Sequence, residues 1–174
     1  MNFKSKKSLV VYYSRNGLNY AGKRIKKLPR GNTEIAAEMI GTITDSPLFK
    51  IETIVSYPLD YIKTLEVAFN EKEENIRPDL IRGFENIEDF DILFFGYPNW
   101  WGTMPMAGFT LLESYDFSGK IILPFCTDEG SGLGNSIEDI KNVCSQSDVL
   151  DGLAIHGTHV MTAYDDINSW LKNS

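Results

Sequence analysis

The sequence predicts a doubly wound, three-layer α/β sandwich around a five-stranded parallel sheet, and two observations carry that prediction. Short apolar runs alternate with amphipathic segments through residues 1–174, which read as a single domain, and the loops after the first, third and fourth runs are crowded with small and hydrogen-bonding residues. The first strand is 8–13. Residues 31–43 then place Ile35, Met39 and Ile43 four apart with Ala36 and Ile40 beside them, one apolar face of a helix. A weak second strand, 48–51, precedes a helix over 60–74 with Ile62, Leu65 and Phe69 on one face; Arg77-Pro78 ends it, because the residue before a proline avoids helical angles. Strand three is 91–97. Pro105 starts the next helix, with Met106, Phe109 and Leu112 inward. Strand four is 120–126, where Pro124 removes a ladder donor and implies a bulge or a strand end. Leu133, Ile137, Ile140 and Cys144 make the clearest helix, 152–156 is a short fifth strand, and 165–172 closes the chain with Ile167, Trp170 and Leu171 on a helical face.

A chain of 174 residues buries roughly 70% of its unfolded surface, enough for one core. Its net charge of −7 is unevenly divided: residues 1–30 hold nine Lys/Arg and no Asp/Glu, whereas residues 31–174 hold eight Lys/Arg against 24 Asp/Glu, a net −16. An acidic body disfavours nucleic acid and suits either cationic partners or plain solubility. The apolar run after the basic start spans only Leu9 to Tyr13, too short for a signal peptide or a membrane span. Cys126 and Cys144 lack the spacing of a disulfide framework or zinc site, so a reducing cytoplasm is the expected location. His156 and His159 have no ligand-spaced companions and no metal is expected; without a Gly-x-Ser-x-Gly elbow, neither is a hydrolase.

The third strand runs directly into Pro98-Asn99-Trp100-Trp101-Gly102-Thr103, which is turn chemistry carrying two indoles. The indoles either pack in the core or present a flat surface to a conjugated ligand at the carboxyl end of the sheet, where open α/β sheets bind ligands. After the first strand, Ser14-Arg15-Asn16 is separated by residues 17–30 from Gly31-Asn32-Thr33 at a helix start, where hydroxyls, an amide and free N–H groups suit a single phosphate. Helix capping is the alternative role of Asn32 and Thr33. Neither Gly-x-x-x-x-Gly-Lys-Ser/Thr nor Gly-x-Gly-x-x-Gly follows the first strand. In a sheet of order 2-1-3-4-5 the first, third and fourth strands are neighbours, so their loops meet on one rim.

With residues 17–30 set aside, the first loop reads Ser-Arg-Asn-Gly-Asn-Thr. Together with the loops at residues 98–103 and 126–134 it resembles the flavodoxin family, over essentially the whole chain. The resemblance implies the flavodoxin-like fold with strand order 2-1-3-4-5, a noncovalently bound flavin mononucleotide (FMN) and redox work; flavodoxin is itself one of the folds behind the rule that places ligands at this rim. Carried over, Ser14, Asn16, Asn32 and Thr33 hold the phosphate with Arg15 flanking it. Pro98, Asn99, Trp100, Trp101, Gly102 and Thr103 line one side of the ring, and Thr127, Glu129, Gly130, Ser131 and Gly132 the other. No side chain is expected to be catalytic. Asn16 replaces a usual threonine, and the insert, with Lys23, Arg24, Lys26, Lys27 and Arg30, is foreign to the family's neutral cradle. That insert is either a solvated excursion or a cationic lip that draws in a phosphorylated cofactor or the 2′-phosphate of a nicotinamide.

Carboxylates such as Asp128 and Glu129 disfavour an anionic reduced flavin and lower its potential. The resulting expectation is a carrier of single electrons between soluble partners, a reductase and an acceptor, with neither nucleic acid nor membrane involved. The alternatives are an NAD(P)H-dependent reductase of quinones or similar small acceptors, and a binding module of the same fold that has lost its cofactor. Cys126 reads as core rather than nucleophile, and Tyr57 and Tyr61 either frame the pocket or, at Tyr57-Pro58, form a turn.

Overall fold

The computed structural model describes residues 6–174; the first five residues, part of the basic start, lie outside that range. Alternating strands and helices appear in the expected order: β1 (Ser8–Tyr13), a hairpin of β2 (Gly17–Tyr20) and β3 (Ile25–Leu28), α1 (Asn32–Thr44), β4 (Leu48–Ile51), α2 (Tyr61–Glu73), β5 (Ile92–Pro98), α3 (Met106–Glu113), β6 (Ile121–Asp128), α4 (Ser136–Val143), β7 (Asp148–Val149), β8 (Leu153–His156) and α5 (Tyr164–Asn173). The parallel sheet runs β4-β1-β5-β6, and β6 pairs on its far side with both β7 and β8. That is the 2-1-3-4-5 order, with the fifth strand broken in two.

The break explains Pro124. The carbonyls of Lys120 and Ile122 accept bonds from the β7 side, whereas the Ile121 N–H donates toward β5, so even-numbered residues of β6 face the fifth strand. β7 pairs with Ile121 and Ile122, and β8 resumes at Phe125. The donor that Pro124 lacks therefore falls in the gap. The expected bulge or strand end is absent: β6 continues through Pro124 to Asp128, and its neighbour is interrupted instead.

β1 is buried throughout and feeds both sides of the sheet. Leu9, Val11 and Tyr13 join α3 and α4 in one core, and Val10 and Tyr12 join α1 and α5 in the other. Four local expectations are corrected. Pro105 is the residue that caps α3 rather than its first turn. Leu133 and Cys144 flank α4 instead of lying within it, because Ser136 begins the helix. The α1 contact is centred on Ala36, Ala37 and Ile40, small enough to let the helix lie close to the sheet. The α2 face expected to point inward does not: only Thr64 and Ala68 are buried, while Ile62 and Phe69 are exposed.

Residues 17–30 hold an antiparallel hairpin whose strands alternate exposed and half-buried residues. Tyr20 faces Ile25, and the turn between them has positive φ at Gly22 and Lys23, the dihedral signs of a type I′ turn. Arg15 anchors its base. The guanidinium donates to the Leu18 carbonyl, to Asn19 Oδ1, and across the chain to the carbonyls of Pro58 (2.6 Å) and Leu59 (2.9 Å).

Candidate functional site

The carboxyl ends of β1, β5 and β6, the start of α1 and the inserted hairpin enclose a cavity of about 380 Å³. Its size is that of a small-molecule site.

One end is a helix terminus. The split first loop is rejoined in space: a Cβ on Gly31 would lie 2.1 Å from Ser14 Oγ and 2.7 Å from the Arg15 carbonyl, so only glycine lets the two halves meet. Ser14 Oγ then accepts from the Glu34 N–H at 3.0 Å and caps α1 from outside the helix. Asn32 and Thr33 are therefore not the caps. They are the first two helical residues, and their N–H groups have no acceptor among the described residues, which leaves a donor pair at the positive end of the helix dipole. The Thr33 hydroxyl instead shares a buried 2.7 Å hydrogen bond with Thr127 and ties this end to β6.

Beside these donors stands one unsatisfied acceptor. Glu129 Oε2 accepts from the Gly22 N–H at 2.8 Å, while its Oε1 is buried without a partner and, like the Asn32 amide nitrogen, would lie 2.4 Å from a Cβ at position 157, where Gly157 leaves the space free. A buried carboxylate oxygen calls for a donor, so the site is set for a ligand that offers hydroxyls as well as an anion.

The other end is aromatic. Asn99 shapes its loop by accepting from the Gly102 N–H (2.9 Å) and donating to the Gly132 carbonyl (2.7 Å). Trp100 is wedged edge-on against Tyr13 and Tyr57, ring centres 5.4 and 5.1 Å away. Trp101 has φ +55°, rare for a bulky residue, and is held there by its indole N–H on the Leu65 carbonyl and by Lys72 on its own carbonyl. Tyr20 of the hairpin stacks on Tyr61 of α2 at 6.3 Å and completes the wall. Tyr57 stands behind Trp100 and donates to Glu71, whose carboxyl is raised above the usual carboxylate range by desolvation, against the lowering effect of that bond. Burial and the charge of Asp128 push the Cys126 thiol far up; it is core, not a nucleophile.

Twelve of the residues singled out in the sequence line this one cavity: Ser14, Arg15, Asn32, Thr33, Pro98, Asn99, Trp100, Trp101, Gly102, Thr127, Glu129 and Ser131. Four do not. Asn16 sits where the chain turns into β2, Thr103 is buried under its loop on Asp139, Gly132 offers its carbonyl to Asn99, and Gly130 gives its N–H to Asp128. They shape the loops rather than face the cavity. Arg15 lines the wall, but its donors are spent on the hairpin base, and desolvation lowers its pKa. The walls also hold Asn19, Tyr20, Leu28, Tyr61, Leu65 and Asp128, of which Tyr61 and Asp128 had stood out in the sequence as site residues; the alternation of Leu18 and Tyr20 with smaller residues was the one sign of a strand there.

The fold and this rim define a flavodoxin-like α/β protein with a site for an anionic, hydroxyl-bearing, flat ligand. The family model described as Flavodoxin matches residues 7–174, and the chain belongs to that family. A putative flavoprotein from Bacteroides eggerthii is 28% identical, with a TM-score of 0.76 and 96% of each chain covered. A flavoprotein from Lactobacillus acidophilus, solved in complex with FMN, shares the fold at 20% identity and a TM-score of 0.63, over 92% of this chain and 99% of that one. So does an NADH:FMN oxidoreductase in its apo form, at 15% identity and a TM-score of 0.52, over 97% and 86%. No curated protein sequence matches the chain. Among the described residues, no helix is long and apolar enough to cross a membrane, and no cluster of His, Cys, Asp or Glu is set to hold a metal.

Proposed function

We propose that the chain binds FMN in this cavity and carries electrons, singly and at low potential, between soluble partner proteins in the cytoplasm. The observation that carries this reading is the unpaired set at one end of the cavity: the Asn32 and Thr33 N–H groups suit a phosphate, and buried Glu129 Oε1 suits a ribityl hydroxyl. FMN, when bound, supplies the redox chemistry. Ser14 keeps its own hydroxyl proton free to donate while it caps α1. Trp101, Tyr20 and Tyr61 line the aromatic end and exclude water, and Asp128 and Glu129 line the cavity with carboxyl groups that oppose added negative charge.

An NAD(P)H-dependent reductase of small acceptors is the second reading. It is favoured by the extra wall that the hairpin builds and by an NADH:FMN oxidoreductase having the same fold. The two separate in one experiment. Protein reconstituted with FMN and desalted should keep its visible absorbance, and anaerobic NADPH should leave it unchanged if a partner reductase is needed. Rapid bleaching would make the chain a reductase; loss of the flavin on desalting would remove the cofactor.

A further inference from the structure

We infer that a second cavity, behind Trp100, is a binding site for a small organic cation with an apolar body. Its volume of about 320 Å³ is at the small end of the range for small-molecule sites, and it shares no lining residue with the first cavity. Tyr57 stands between the two: it lines the second cavity, and its ring is edge-on against Trp100, which lines the first. The walls are apolar and built in advance. Ile54 (63% exposed), Val55 (82%) and Val67 (36%) line the cavity as aliphatic side chains that folding leaves without cover. The backbone that carries them is held from several directions. Thr53 bridges Leu80 in antiparallel fashion, with the Ile54 N–H on the Asp79 carbonyl (2.8 Å) and the Ile81 N–H on that of Glu52 (2.9 Å). The Thr64 hydroxyl donates to the Pro58 carbonyl (2.8 Å) and the Thr110 hydroxyl to that of Pro78 (3.0 Å), which ties the two prolines of the lining to α2 and α3. A preformed apolar concavity takes up a ligand without first having to order its own loops.

The charges give the ligand its sign. Glu71 and Asp79 line the cavity, and no Lys, Arg or His does. Glu71 Oε2 accepts from Tyr57, while its Oε1 has no protein partner among the described residues. The cations nearest in the chain are engaged elsewhere: Arg77 is bidentate on Glu113, Lys72 donates to the Trp101 carbonyl, and Arg15 reaches the Pro58 carbonyl from the wall of the first cavity. Lys63 stands two helical turns before Glu71, about 12 Å along α2, and screening confines charge effects to about 8 Å at physiological salt. In keeping with this, the Glu71 carboxyl responds to burial and to the Tyr57 bond, with no cation among the causes. Residues 52–81 as a whole carry seven Asp/Glu against three Lys/Arg. A ligand that covers the aliphatic walls and turns an ammonium group to Glu71 and Asp79 satisfies both features, whereas an anion of the same shape meets only repulsion. The site does not depend on what the first cavity binds.

The test is a titration of the nitrogen-15-labelled protein, followed by amide and indole resonances, with three probes of one shape: 2-phenylethylammonium, neutral 2-phenylethanol and anionic 3-phenylpropionate. The ammonium should shift the Ile54, Val55, Val67 and Glu71 amides and the Trp100 indole saturably, at least about 10-fold more tightly than the alcohol, and the anion should bind more weakly still. Glu71→Gln, which still accepts from Tyr57, should bring the ammonium toward the affinity of the alcohol and leave the alcohol unchanged. Val67→Phe, on a partly exposed helix face, fills the cavity and should abolish the response to all three. The inference is overturned if the alcohol or the anion binds as tightly as the ammonium, if Glu71→Gln keeps the preference, or if the shifts do not saturate. It is overturned too if only the Gly102 and Ser131 amides respond, which would place the probe in the first cavity. Repeating the titration with added FMN reads the two sites separately: a second-cavity response in protein that retains no flavin would keep this site and remove the cofactor reading alone.

Discussion

At one end of the cavity, Ser14, Gly31 and Thr33 stand on the buried ends of β1 and α1, are joined through Thr127 to β6, and adjoin the free backbone N–H groups at the helix start. At the other end, Tyr20, Tyr61 and Trp101 are partly exposed side chains delivered by an inserted hairpin and a helix with little buried surface. The first end is fixed by the sheet itself, so it is preorganised and damage to it spreads into stability. The second hangs on a few long-range hydrogen bonds, so it can vary and move with little cost to the fold.

Gly31→Val should break this contrast most severely, because its Cβ would enter the space of Ser14 Oγ. We expect a loss of stability of about 1–3 kcal/mol together with FMN affinity reduced about 100-fold, read by urea denaturation and flavin fluorescence titration. Unchanged affinity would mean that the phosphate is held elsewhere. Thr127→Val orphans the buried Thr33 hydroxyl and should cost about 1–3 kcal/mol, whereas the double replacement Thr33→Val/Thr127→Val should cost less than the two singles summed. Strict additivity in that cycle would show that the two hydroxyls are not coupled. At the aromatic end the pattern should invert: Trp101→Ala relieves little buried packing and leaves the denaturation midpoint nearly unchanged, yet weakens FMN about 3- to 10-fold.

The smallest effect is a pH dependence behind Trp100. Burial raises the Glu71 carboxyl, so between its ordinary value and its raised one the native state binds the proton more tightly than the unfolded chain. Stability should be greatest at the acid side of that window, fall as pH rises through it, and then stay level. Glu71→Gln, which still accepts from Tyr57, should flatten the slope and change stability by less than about 1 kcal/mol, since the side chain is only half-buried and water screens it. Urea midpoints across the carboxylate pH range check this, and a slope that survives in Glu71→Gln would assign it to another group.

The legibility of the site follows the same division. That the helix-start loop and the Trp100-Trp101 loop line one cavity could be read in the sequence because each is a short run whose chemistry is local: a hydroxyl, glycine and amide at a helix start, or indoles after a buried strand. The hairpin wall could not. Its charged residues pointed to solvent, and nothing within residues 17–30 states that Arg15 would bind the carbonyls of Pro58 and Leu59 or that Glu129 would reach Gly22. The reading of α2 failed for a related reason: periodicity marks an apolar face but not what it faces, and Ile62 and Phe69 turned out to be exposed, with Phe69 edge-on against Trp101.

The sequence by itself determined the alternation of strands and helices, the bounds of β1 and β4, and the three loops that meet on one rim, because periodicity, proline and glycine act over a few residues. The tertiary structure decided what joins distant parts of the chain. Ser14 caps a helix that begins beyond a fourteen-residue insert, Pro124 is accommodated by a gap in the neighbouring strand, and Glu129 has one oxygen buried and the other satisfied by the hairpin. Each of these depends on a contact that closes only when the sheet has assembled, and its energy is absent from any local stretch of sequence.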